Sequence, residues 1–144
     1  MQFYSTNRKT SPVSLREAVV RGLAADRGLF MPEVIRRFPP AFYQNMKEMT
    51  LREISFVVAE AFFGEDVEAG KLKEIVDETL NFDIPLVQVA DNRYSLELFH
   101  GPTLAFKDVG ARFMARLLAY FNKQEGERQV NVLVATSGDT GSAV

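Results

Sequence analysis

Apolar positions recur at helical spacing through the first half of the chain and change to a period of two near residue 84. The clearest helix opens at Thr50-Leu51-Arg52-Glu53, where Leu51, Ile54, Val57, Val58, Ala61 and Phe62 share one face and Gly64 is a natural stop. Threonine with glutamate three residues later predicts a capping box, each side chain satisfying an orphan backbone N–H of the first turn. Ser14-Leu15-Arg16-Glu17 carries the same signature ahead of another helix. Leu72, Ile75, Val76 and Leu80 form one stripe of a third. Pro39-Pro40 predicts the start of a shorter helix that buries Phe42, Tyr43 and Met46. Phe3–Ser5 reads as a short strand, and Asp26 to Pro32 as a turn followed by an extended connection.

In the second half, Leu86–Ala90 and Tyr94–Phe99 alternate as strands, and Asp91-Asn92-Arg93 links them into an antiparallel hairpin. After the break at Gly101-Pro102 comes a helix with Phe106, Val109, Phe113, Met114, Leu117 and Phe121 on its inner side. A polar loop, Asn122 to Gln129, leads into Val130–Ala135, which reads as a buried strand running into Thr136-Ser137-Gly138-Asp139-Thr140-Gly141 and a new helix. Strand, glycine loop and helix start open an α/β unit, whose parallel sheet must be covered on both faces. The fold class expected is therefore α/β: a mainly helical domain over 1–83, then the beginning of an α/β domain over 84–144. Residues to complete that sheet are not among the 144, so the chain reads as a piece of a longer protein.

Composition narrows the function. A charged fraction of 25% and a hydrophobic fraction of 47% are those of an ordinary soluble domain. A net charge of -2 with scattered Lys and Arg gives no reason to expect nucleic acid or a membrane surface as partner. Met1-Gln2-Phe3-Tyr4-Ser5 lacks the basic and apolar regions of a secretory signal, and a cytoplasmic location is the expectation. Without cysteine, a disulfide framework, a thiolate nucleophile and a zinc–cysteine site are excluded. The lone histidine, His100, leaves little for an imidazole metal site, and no metal is expected.

Two places carry candidate chemistry. Lys107 lies near the start of an apolar helix, directly after Phe106. A helix N-terminus and an apolar setting both disfavour an ammonium, and a neutral amine is what Schiff-base chemistry requires. The alternative is a solvated lysine paired with Asp108. At 135–141, backbone N–H groups at a helix start, small hydroxyls and glycines suit an anion; the alternative is a turn that simply joins strand to helix. It is not a Walker loop, because the Gly-Lys-Ser/Thr ending is absent. His100 reads as a packing histidine.

Both segments resemble the threonine synthase family. Glu-Leu-Phe-His-Gly-Pro-Thr-Leu-Ala-Phe-Lys-Asp at 97–108 is similar to that family's cofactor-lysine segment, and Ala-Thr-Ser-Gly-Asp-Thr-Gly-Ser-Ala at 135–143 to its substrate loop. Tyr4-Ser5-Thr6, Val13 to Ala18, Gly22-Leu23-Ala24 and Gly28-Leu29-Phe30-Met31-Pro32 resemble its N-terminal helical domain. The likeness covers the whole chain and about the first third of a usual member. It implies a fold type II pyridoxal-phosphate enzyme that converts O-phospho-L-homoserine and water to L-threonine and phosphate. Lys107 would hold pyridoxal 5'-phosphate as an aldimine and move protons along the substrate, with Phe106, Asp108 and Asp139 beside the cofactor. Thr136, Ser137, Gly138, Asp139, Thr140 and Gly141 would hold the substrate carboxylate. Asp139 stands where many type II relatives have asparagine near the cofactor's 3′-oxygen.

The same resemblance sets the phosphate cradle beyond residue 144, so the 144 residues alone are expected to be inactive and to bind the cofactor negligibly. Apolar Val132, Val134 and the inner face of the 106–121 helix, without the elements that would cover them, are expected to self-associate through the C-terminal half or to lose order after about residue 122. Two rivals stand beside it. A serine or threonine dehydratase of the same fold usually carries Ser-Phe-Lys-x-Arg, against Ala105-Phe106-Lys107-Asp108 here. A non-catalytic homologue that binds phosphate ligands is the other.

Overall fold

Phe3 and Ser5 point to one side of a strand and are both buried, so one face of the first strand is covered. The computed structural model describes residues 1–124, 126 and 129–144. Strand β1 (Gln2–Ser5) pairs antiparallel with β2 (Val13–Ser14) on one side and β3 (Phe30–Pro32) on the other. The connection expected over 26–32 thus ends in an edge strand, a place where a proline lacking an N–H is tolerated.

Helix α1 (Leu15–Arg21) starts at Ser14, whose hydroxyl accepts from the Glu17 N–H at 3.2 Å. Glu17 turns its carboxylate to Arg21, 3.1 Å away. Pro40 opens α2 (Pro40–Asn45), which passes into a 3₁₀ turn at Met46–Glu48. Here the structure corrects the sequence reading: Phe42 and Met46 are only half-buried and Tyr43 is exposed. Six residues make fewer than two turns, so one narrow face is available, and Phe42 occupies it against Phe38 with ring centroids 4.5 Å apart.

The capping box of α3 (Leu51–Phe63) is complete. The Thr50 N–H donates to Glu53 Oε2 at 2.7 Å, and the Glu53 N–H donates to Thr50 Oγ1 at 3.3 Å. Gly64 caps the C-terminus. Helix α4 (Ala69–Thr79) buries Leu72, Ile75 and Val76 at the spacing of its apolar stripe. The Met1 ammonium donates to Glu65 at 2.9 Å and to Asp66 at 3.1 Å, tying the start of β1 to the turn between α3 and α4.

The chain divides into two compact units, Met1–Val76 and Asp77–Val144. The second contains the hairpin of β4 (Leu86–Ala90) and β5 (Arg93–Leu96), with Leu86 opposite Leu96 and Gln88 opposite Tyr94. Asn92 takes the left-handed conformation that a tight turn demands, with φ 56. Pairing ends at Leu96 rather than Phe99, closed by the Glu97 N–H on the Pro85 carbonyl at 2.9 Å.

Helix α5 (Lys107–Gln124) buries Asp108, Leu117 and Phe121. Phe106 and Met114, expected on its inner side, are 57% and 46% exposed. Phe106 belongs to the turn before the helix and so falls outside its period. Arg112 donates to the Glu78 carbonyl at 2.6 Å and to Asn81 at 2.9 Å, while Arg116 donates to the Glu78 carboxylate at 2.7 Å. These contacts fix the helix against the segment that begins the unit. The polar loop expected at 122–129 includes positions 125, 127 and 128, which lie outside the described residues.

Val130–Ala135 also departs from expectation. It is neither strand nor buried: the segment is exposed throughout, Leu133 at 94%. A lone extended segment has no ladder to satisfy its backbone, and no strand among the described residues pairs with it. The short helix α6 (Asp139–Ala143) follows.

Candidate active site

Lys107 is the first residue of α5, and its chemistry depends on the turn that delivers the chain to that point. Gly101 to Phe106 forms this turn. The Leu104 N–H donates to the Gly101 carbonyl at 3.1 Å, and the Asp108 N–H to the Ala105 carbonyl at 3.1 Å. Successive residues of a helix project about 100° apart. Lys107 and Asp108 accordingly go separate ways: the Lys107 side chain stays 32% exposed, whereas Asp108 is buried at 1%.

The Asp108 carboxylate accepts from the Thr103 hydroxyl at 2.6 Å and from the Thr103 N–H at 2.9 Å. The pairing of Lys107 with Asp108, one of the two sequence readings, is therefore not what forms. Lys107 Nζ instead donates to Asp139 Oδ2 at 2.8 Å, joining residues 32 apart in sequence. The ammonium also stands 5.3 Å from the centre of the Phe106 ring, within cation–π range. The hydrogen bond from Lys107 is the first cause holding the Asp139 carboxyl below its ordinary 3.8, and the Lys107 charge and the Thr140 N–H act in the same direction.

The loop that carries Asp139 is built from its own small residues. Gly138 takes φ 148, a conformation closed to most side chains, and its N–H donates to Thr136 Oγ1 at 3.3 Å. The Thr140 N–H donates to Asp139 Oδ1 at 3.0 Å. Gly141 lies so close to Thr136 that an added Cβ would stand 2.6 Å from its Cγ2. Ser137 is exposed beside them. Of the nine residues singled out in the sequence, the geometry brings together Lys107, Phe106 and Asp139, with Thr136, Ser137, Gly138, Thr140 and Gly141 composing the loop around Asp139. Asp108 faces away from them.

His100 pairs with Glu97, Nε2 to Oε2 at 2.7 Å, and lies against the Phe99 ring, centroids 4.8 Å apart. Thr103 and Gly101 were not legible as partners of Asp108.

The chain matches the family described as threonine synthase N terminus over residues 2–80. It is 41% identical to the threonine synthase of Serratia marcescens over 144 residues, all of this chain and 33% of that protein. The crystal structure of threonine synthase from Escherichia coli superposes with a TM-score of 0.90 at 37% identity, covering 99% of this chain and 33% of that one. A pyridoxal-phosphate-bound threonine synthase from Brucella melitensis superposes with a TM-score of 0.84 at 34% identity, covering 89% and 29%. The chain thus spans about a third of the length of these relatives. Its mixture of helices and strands follows the N-terminal region of the solved threonine synthases, and no helix among the described residues is long and apolar enough to cross a membrane. The chain belongs to the threonine synthase family.

Proposed function

We propose that this chain supplies the N-terminal third of a threonine synthase, a lyase that converts O-phospho-L-homoserine and water to L-threonine and phosphate, with Lys107 as the lysine that carries pyridoxal phosphate. The observation that carries the reading is the 2.8 Å contact of Lys107 with Asp139, which joins the two segments that bear the family's motifs. The residues fit the cofactor. A carbonyl ligand needs an amine that solvent can reach, and Lys107 is a third exposed at the mouth of a turn, held by an ion pair that exchange can open. When bound, pyridoxal phosphate supplies the electron sink that lets the γ-phosphate leave.

The chain's own residues take the remaining roles. The Lys107 amine moves the proton at the substrate Cα and then protons at Cβ and Cγ. Asp139 accepts from that amine and keeps it over the loop between uses. Backbone N–H groups and hydroxyls of 136–141 bind the substrate carboxylate, and the Phe106 ring shields one side of the amine. Asp108 acts on the amine through the backbone. The division into a helical domain over 1–83 and the start of a fold type II domain over 84–144, a cytoplasmic setting in threonine biosynthesis, and self-association through exposed apolar side chains such as Leu86, Val89 and Leu96 belong to the same reading.

A hybrid tests it: residues 1–144 replace the matching third of the Serratia marcescens enzyme, and threonine formation from O-phospho-L-homoserine is followed. The hybrid forms threonine, and Lys107→Ala abolishes it. A folded hybrid whose Lys107→Ala form keeps near-parental turnover without added amine removes the proposal.

A further inference from the structure

The carboxylate of Asp108 projects about 100° around the helix from the amine it follows in sequence, and its burial is built by residues of the preceding turn. Both oxygens are engaged by one residue: Thr103 gives its hydroxyl at 2.6 Å to one and its backbone N–H at 2.9 Å to the other. Gly101 closes on the same group from the start of the turn. A Cβ placed there would stand 2.4 Å from Asp108 Oδ2 and 2.9 Å from Asp108 Cβ, closer than any side chain tolerates. The turn thus wraps the carboxylate and cannot relax without releasing it.

The segment so held is not one the chain adopts by preference. Leu104 sits at φ 59, a left-handed conformation that a branched side chain avoids, and its side chain is 75% exposed. Little burial of Leu104 offsets that strain. Backbone strain of this sort persists where the surroundings over-determine it, and what surrounds it here is the Asp108–Thr103 pair on one side and the Gly101 carbonyl on the other.

We propose that Asp108, gripped by Thr103 and Gly101, is a positioning residue for Lys107: it locks the 101–106 turn and so fixes where α5 begins and where the Lys107 amine emerges. The inference rests on the reading of Lys107 as the cofactor lysine, but the lock can be observed without any cofactor. A turn free to shift by an ångström would move the amine relative to Asp139 and to any bound carbonyl, and misplacement of that size slows a chemical step severely.

Three substitutions isolate the lock. Thr103→Val removes the hydroxyl and keeps the shape, Asp108→Asn removes one acceptor, and Thr103→Ser retains both donors. In the 144-residue chain, Thr103→Val and Asp108→Asn raise amide hydrogen exchange across 101–107, whereas Thr103→Ser leaves it as in the parent. In the hybrid enzyme the first two slow borohydride-fixed pyridoxal-phosphate labelling of Lys107 about tenfold or more, with circular dichroism unchanged, and Thr103→Ser labels at the parental rate. Unchanged exchange at 101–107 in Thr103→Val and Asp108→Asn overturns the lock. Faster exchange there with parental labelling overturns its role toward Lys107. A parental hybrid that does not favour Lys107 at all removes the cofactor-lysine reading, and the positioning role with it, while the exchange data separately report whether the lock exists.

Discussion

The ammonium of Lys107 meets the carboxylate of Asp139 at 2.8 Å, joining the first residue of α5 to the first residue of α6. The hydrogen bond from Lys107 depresses the Asp139 carboxyl. A carboxyl whose folded value lies below its unfolded one contributes stability that is present above the unfolded value and is lost as pH falls through the folded value. Both partners face solvent, so the effect on overall stability is small. Carbon-detected titration of Asp139 is expected to give a midpoint below 3.8, and Lys107→Ala to raise it toward that ordinary value.

A second carboxylate organises the N-terminal sheet. Asp26 accepts from Ser5 Oγ at 2.5 Å, from the Lys9 N–H at 2.9 Å and from the Gly28 N–H at 3.0 Å, with Ser5 fully buried. Gly28 leaves room for this arrangement: a Cβ there would stand 2.0 Å from Ser5 Oγ and 2.9 Å from the Asn7 nitrogen. Gly28→Ala is expected to cost about 1–3 kcal/mol through overpacking. Thermal unfolding checks it, as a fall in Tm of roughly 4–8 °C per kcal/mol for a unit of this size.

Two further substitutions separate helix capping from core packing. Thr50→Ala removes the hydroxyl that accepts the Glu53 N–H and is expected to cost about 1 kcal/mol. Leu72 is fully buried, and Leu72→Ala is expected to cost about 2–5 kcal/mol through lost transfer energy and the cavity left behind. Urea denaturation measures both; equal effects would contradict this ranking.

The same contrast explains what the sequence revealed and what it did not. The α3 box was legible because Thr50 and Glu53 act within one turn, and the hairpin because its alternation and its Asn92 turn are local. Strand β3 was legible only as an extended segment, since what makes it a strand is its pairing with β1, a long-range contact. Val130–Ala135 has the composition of a buried strand but no partner among the described residues, and composition cannot supply one. At the site, Lys107 and Asp139 each stood out by motif, whereas their meeting and the seating of Asp108 on Thr103 are tertiary facts.

The exposed apolar side chains of the second unit lead to a prediction about association. Leu86, Val89, Leu96 and Leu133 are 64%, 65%, 57% and 94% exposed. Apolar surface of that extent favours a partner surface. Light scattering of the 144-residue chain is expected to show mass rising with concentration, and Val89→Lys with Leu96→Lys to reverse it. A mass that stays monomeric at all concentrations would contradict the expectation.

Covalent labelling tests most directly whether Lys107 carries the cofactor. The hybrid enzyme is loaded with pyridoxal phosphate and reduced with borohydride, and the label is mapped by peptide mass spectrometry. The label is expected on Lys107, with absorbance in the Schiff-base band before reduction that is lost in Lys107→Ala. Label spread over Lys9, Lys47, Lys71, Lys73 and Lys123, with Lys107 no more modified than these, would contradict it.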